Sequence, residues 1–246
     1  MAILLGGGCA GTAQTDAPLR IASAANFYAT AVQLAEAFET EQGGEVEVIS
    51  GSSGKHVAQI LAGAPFDVLL SADTLRPHLL VERGVVERGE TWVYAVGRLV
   101  AWVPRVPVHV LSDASALGPL SAEDVLRGAA GRIAIANPDL APYGRAATQV
   151  LDRLGSGMQR VRGENASQAF QFVSAGSVEA GLVAFSQVRD EARGQVWVIP
   201  DSLYDPIVQG GAVLSDHPAA EAFRRFLDAP RQRSVLERAG YQAPHP

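Results

Sequence analysis

The sequence predicts an α/β protein of two units, each a mostly parallel sheet flanked by helices. Three observations carry that prediction. Short apolar segments alternate with helix-period segments from Leu19 onward, as β-α-β units require. The strand-like segments are apolar almost throughout, as strands covered on both faces are. The alternation breaks twice, near Leu99 and near Pro200, where the chain is expected to cross between the units.

Each element has its own justification. "LRIASAA" (Leu19 to Ala25) is short and apolar, a buried strand. The segment after it places Ala31, Leu34, Ala35 and Phe38 at helical spacing, with Gly43 as a stop. "EVEVIS" (Glu45 to Ser50) alternates like a strand, "KHVAQILAGAP" is a short helix ended by Gly63 and Pro65, and "FDVLLSAD" (Phe66 to Asp73) is a strand again. "YAVGRLVAWVP" (Tyr94 to Pro104) is a long apolar run containing Gly97. "GRIAIANPDLAPYGRAATQVLDRLG" reads strand, loop, helix, and "NASQAFQFVSAGSVEAGLVAFSQV" reads helix, break at Gly176, strand. "GQVWVIPDSLYDPIVQGGAVL" holds two strands, and a last helix, "PAAEAFRRFLDAP", sets Ala222, Phe223, Phe226 and Leu227 on one face. The expected division is a leader remnant over 1–17, one lobe from 18–98 plus 202–246, and a second from 99–201.

Composition narrows the function. The chain has 246 residues, 48% of them hydrophobic and 19% charged, with a net charge of −6. Nucleic-acid binding needs clustered Lys and Arg, and no such cluster is present. A single cysteine, Cys9, excludes a disulfide framework and a Cys-based zinc site. His56, His78, His109, His217 and His245 are scattered and read as surface or loop residues. No Ser–His–Asp arrangement or metal cluster is evident, so an enzyme is not expected. The start, "MAILLGGGCAGTAQTDAPLR", resembles the back half of a secretory signal without its basic region, and "GGGC" resembles a lipoprotein cleavage site at Cys9. An exported protein, periplasmic or at the cell surface, is the expectation.

The strand–helix junctions carry the chemistry. In parallel α/β sheets, ligands sit beyond the carboxyl ends of strands, where helix starts point free N–H groups. Four junctions qualify: "ASAAN" with Ala25 and Asn26, "SGSSG" with Ser52 and Ser53, "ANPDLAPYG" with Tyr143, and "GENAS" with the backbone at Ala166. All carry small residues and neutral donors. Lys55 and Arg145 are the cationic exceptions nearby. Each junction alone reads as ordinary helix capping. Four together suit a small dehydrated oxyanion, which offers acceptors in every direction.

"SAANFYATAVQLAEAFETEQG", "SGSSGKHVAQILAGAPFDVLLSAD", "ANPDLAPYG", "GLVAFSQV" and "DPIVQGGAVL" together resemble the periplasmic molybdate-binding proteins of bacterial ABC importers, over nearly all of the chain after Leu19. The resemblance implies a two-lobed periplasmic-binding-protein fold of type II with two chain crossings at a hinge. It implies an interlobe cleft that binds molybdate or tungstate through neutral donors, with no direct protein ligand to the molybdenum and no cofactor. Partners implied are the oxyanion and a membrane ABC permease, with no nucleic acid and a monomeric chain. The alternative is a binding protein for sulfate or another tetrahedral oxyanion. By motif position Asn26, Ser53 with Ser52 and Ala25 adjacent, Tyr143 and Ala166 are the anion contacts. One departure stands out: some members place a ligand-contacting Tyr where Ala184 stands here, and Tyr143 is expected to supply that hydroxyl from the other loop. Lys55 is not assigned to the anion. Tyr204 and Gln209 are expected to pack at the hinge.

Overall fold

The computed structural model describes residues 17–87, 89–104, 122–128 and 131–244. Cys9, His109, His245 and all but the last residue of the 1–17 segment lie outside them. The first run of elements is β1 (Leu19–Ala24), α1 (Tyr28–Gln42), β2 (Val46–Gly51), α2 (Ser53–Leu61), β3 (Val68–Ser71), α3 (Leu75–Glu82) and β4 (Thr91–Gly97). The second is β5 (Leu99–Val103), α4 (Ala122–Gly128), β6 (Arg132–Ala136), α5 (Pro142–Leu154), β7 (Gln159–Gly163), α6 (Ala166–Ser174), β8 (Ala180–Ala184), α7 (Phe185–Val188) and β9 (Gln195–Val198). A 3₁₀ turn at Asp201–Leu203 leads to β10 (Ile207–Val213), α8 (Pro218–Asp228) and α9 (Pro230–Arg238).

These strands form two five-stranded sheets, ordered β2-β1-β3-β10-β4 and β7-β6-β8-β5-β9. In the first, β1 pairs parallel with β2 and β3, while β10 is antiparallel to both β3 and β4. Only β10 is therefore reversed. The second sheet repeats the plan with β5 reversed between β8 and β9. Each reversed strand is the one that has just arrived from the other sheet. The apolar run at 94–104 is thus two strands in two sheets, split at Arg98. The split falls at the crossing expected near Leu99, although the apolar run itself does not show that its pieces pair in different sheets.

Alternation along each strand sorts side chains to two covered faces. Leu19, Ile21, Val68 and Leu70 pack with Phe27, Phe38, Phe223 and Phe226 on one face of the first sheet. Ala22 and Leu69 pack with Val57, Ile60 and Leu80 of α2 and α3 on the other. In the second sheet Leu99, Ala101, Ile133 and Leu182 face α5, and Val100, Trp102, Ala134 and Val183 face α6.

Helix α1 buries Ala31, Leu34, Ala35 and Phe38 as the spacing predicts, and Gly43 ends it with φ +73°. Helix α8 corrects one expectation. Its buried stripe is Ala220, Phe223, Phe226 and Leu227, and Ala222 sits half-buried at the edge. Nor is it the last helix, since α9 follows after the extended Ala229.

Gly144, in the first turn of α5, lets that helix lie against the end of β6. A Cβ there would fall 2.3 Å from the Ala136 carbonyl oxygen and 2.7 Å from Asn137 C. Gly144→Ala is therefore expected to destabilise by about 1–3 kcal/mol through overpacking against backbone. Gly157, with no atom within 4 Å of such a Cβ, serves as the control. Its alanine variant is expected to stay within about 0.5 kcal/mol of the parent. Urea unfolding midpoints of both variants check this.

Candidate anion-binding site

One small cavity of about 10 Å³ lies where the two sheets face each other, lined by Ala24, Ala25, Asn26, Gly51, Ser52, Ser53, Ala72, Ala141, Pro142, Tyr143, Asn165 and Ala166. That room is about what a single water takes and refuses an extended guest. All six residues singled out from the sequence, Ala25, Asn26, Ser52, Ser53, Tyr143 and Ala166, are on this wall. They come from four separate junctions: β1 to α1, β2 to α2, β6 to α5 and β7 to α6. Sequence reading passed over Ala72, just past the end of β3, and Asn165, the cap of α6. Position after a strand was a usable signal for Ala72, but alanine carries no chemical mark.

Each junction presents donors for a reason. A helix start leaves its first N–H groups without intrahelical partners, and α2 and α6 begin at Ser53 and Ala166. Pro142 opens α5, where a missing N–H is harmless. The Ser53 hydroxyl oxygen accepts from the Ala72 N–H at 3.0 Å, so its own proton remains to donate. Ser52 caps α2 by accepting from Lys55 N–H at 3.4 Å. It is both cap and wall. Asn165 caps α6 by accepting from Gln168 N–H at 3.0 Å.

The phenols nearby stay neutral. Burial pushes the Tyr143 and Tyr94 hydroxyls well above their ordinary value, and that of Tyr241 up to about 12. They remain O–H donors throughout the physiological range. The Tyr143 oxygen is buried and meets full hydrogen-bond geometry with none of the described residues, the Asn26 side chain lying near enough to interact with it. Tyr143 also shares a packed cluster with Ala184, so a larger residue at 184 would compete with its ring.

Cations flank the cavity without entering its wall. Lys55 pairs with Glu164 at 2.8 Å. Asp73 accepts from both Arg76 and Arg145. The Gly54 N–H donates to Leu140 O at 3.0 Å, Ser167 Oγ to Ala25 O at 3.1 Å and Ser186 Oγ to Asn26 O at 3.0 Å. These contacts join the two halves across the cavity. Gly54 has no side chain because the Leu140 backbone passes it: a Cβ would stand 3.1 Å from that carbonyl.

Tyr204 and Gln209 are not on the cavity wall. Tyr204 OH accepts from Leu99 N–H at 3.3 Å, a hinge contact as expected. His56 overturns the surface reading of the histidines. It is buried on α2, its Nε2 lying 3.1 Å from Ser23 O and its ring edge-on to Phe66. The lone-residue pattern hid it because the α2 stripe faces the sheet.

Fold and site together define a binding protein: two α/β halves closed on a small pocket of neutral donors. Residues 19–242 match the family model for bacterial extracellular solute-binding protein, and the chain belongs to that family. It is 37% identical to the molybdate-binding protein ModA of Azotobacter vinelandii, covering 98% of this chain and 96% of the relative. It is also 37% identical to ModA of Rhodobacter capsulatus, over 89% of this chain and 86% of the relative. The solved periplasmic molybdate-binding protein of Azotobacter vinelandii superposes with a TM-score of 0.78 at 33% identity, over 92% of this chain and all of that one. The sulfate-binding protein SubI of Mycobacterium tuberculosis shares the fold at a TM-score of 0.69 and 17% identity, over 92% of this chain and 86% of that one.

Burial holds the His56 pKa below its ordinary 6.5. Between that value and the lower folded one, the unfolded chain binds a proton that the folded chain does not. Its contribution to stability is complete above pH 6.5 and is lost as pH falls through the folded value. Urea unfolding at neutral and mildly acid pH is expected to show a smaller acid loss for His56→Gln than for the parent.

Proposed function

We propose that this chain captures molybdate, or tungstate, between its halves and delivers it to a membrane ABC permease. It does so as an exported binding protein, with 18–98 plus 202–246 as one lobe and 99–201 as the other. The observation that carries the reading is the wall itself. Four junctions from both halves supply serine, amide and phenol donors, and no Lys or Arg is among the lining residues. The molybdate-binding relatives at 37% identity support the same ligand.

The physics is that of a dry dianion met by dipoles. Bringing a charge out of water is costly unless hydrogen bonds replace the hydration shell. Bonds to a charged acceptor contribute roughly 1.5–3 kcal/mol each, and two helix starts add about half a positive charge apiece. Because the groups on offer are donors, a guest that keeps a proton of its own sets hydrogen against hydrogen. Hydrogen phosphate is disfavoured for that reason. Tetrahedral dianions without a proton are favoured.

Calorimetric titration with molybdate, tungstate, sulfate and phosphate is the test. Tight binding of the first two and weak binding of the others is expected, while a clear preference for sulfate would replace the ligand. Ser53→Ala and Asn26→Ala are each expected to weaken molybdate binding by about 1–3 kcal/mol, the cost of an unmet buried acceptor. Parental affinity in both variants would remove these residues from the site.

A further inference from the structure

Strand β10 carries a bulge between Gln209 and Gly210. Bulges re-aim side chains, and this one adjoins Gln209, which touches Asn26 of the cavity wall. Gln209 is fully buried. Its Oε1 accepts from Asn26 Nδ2 at 3.1 Å, and Tyr94 OH, 3.1 Å away, shares its single proton between this oxygen and Ser71 O at 3.0 Å. The Asn26 bond sets the amide's orientation and turns Nε2 away from Asn26. There Nε2 has no hydrogen-bond partner among the described residues, and the Tyr143 hydroxyl meets full hydrogen-bond geometry with none of them.

These two orphaned groups meet at Gly97. A Cβ on Gly97 would stand 2.2 Å from the Tyr143 oxygen and 3.0 Å from Gln209 Nε2. Gly97 ends β4, just before the first crossing, and its φ is not in the left-handed range. Space, not backbone freedom, demands glycine there. Tyr143 belongs to the second half and lines the cavity, whereas Asn26 and Gln209 belong to the first. Buried polar groups left unpaired are rare and need a reason. Here the missing partner is an acceptor for the Tyr143 proton, and an oxyanion in the cavity supplies one.

We propose that Gln209 is a positioning residue that couples the donors of the two halves, an inference that rests on the oxyanion reading above. Its amide oxygen aligns Asn26. Its amide N–H serves the Tyr143 oxygen, so that the phenol proton is turned to the guest. The chain Gln209 N–H to Tyr143 O–H to oxyanion is complete only when the halves are closed and the guest is bound. Such a chain polarises along its length and strengthens the last bond.

The test is a double-mutant cycle on molybdate affinity with Gln209→Met, Tyr143→Phe and the double variant, each unliganded protein shown to be folded by its cooperative thermal unfolding. Gln209→Met removes both polar ends at nearly constant length. Gln209→Met is expected to bind about tenfold or more weakly. Gln209→Met is expected to cost far less in the Tyr143→Phe background, since the partner is already gone. Parental affinity in Gln209→Met, or losses that simply multiply in the double variant, would overturn the inference while leaving the oxyanion reading intact. Wild-type protein that binds none of the four oxyanions would remove both together.

Discussion

A helix cannot satisfy its own first amide protons, and this site is built on that constraint. Helices α2 and α6 begin at the carboxyl edge of a parallel strand and point those protons into one small space. Parallel strands bring the ends of β1 and β2, and of β6 and β7, to the same edge of each sheet. Closing two such edges on each other makes a pocket of donors from both sides. Ser53 extends the principle to a side chain. Its oxygen is committed to the Ala72 N–H, so only its proton is left to give.

Charge is present around the pocket but is managed at a distance. Asp73 engages Arg76 and Arg145 together, and Lys55 is drawn to Glu164 across the cleft. The Lys55–Glu164 pair is half-exposed and contributes little on its own, about 0–1 kcal/mol. Its placement matters more than its strength. It bridges the halves and keeps the ammonium off the wall. The closer grip comes from backbone, through Gly54 N–H to Leu140 O and Ser167 Oγ to Ala25 O. Such contacts need small residues at the approach, which is why glycine recurs in the loops that meet.

Much of this was visible in the residue order. The spacing of Ala31, Leu34, Ala35 and Phe38 marked α1, and small polar residues after apolar runs marked the four junctions. What stayed hidden has physical causes. Tyr94 to Pro104 reads as one apolar run, broken only by Gly97 and Arg98, and its character does not say that the two pieces pair in different sheets. His56 was taken for a surface residue because a buried imidazole differs from an exposed one only in its neighbours. Gln209 sits in a strand whose bulge depends on its pairing with β4, and no local pattern encodes that pairing.

Local chemistry is a property of residue order: helix caps, donor-rich turns, apolar stripes and the scarcity of cations at strand ends are all written along the chain. Which turns meet is another matter. Asn26 and Tyr143 are far apart in sequence and share a wall only because two sheets close face to face. Whether a hydroxyl there is satisfied or left waiting is a balance over neighbours from both halves. Tyr143 is unpartnered and Ser53 half-committed because packing placed Gly97 beside one and Ala72 beside the other. Hydrogen bonding is short-ranged and directional, so its pattern is decided only where the folded chain brings donors and acceptors within reach.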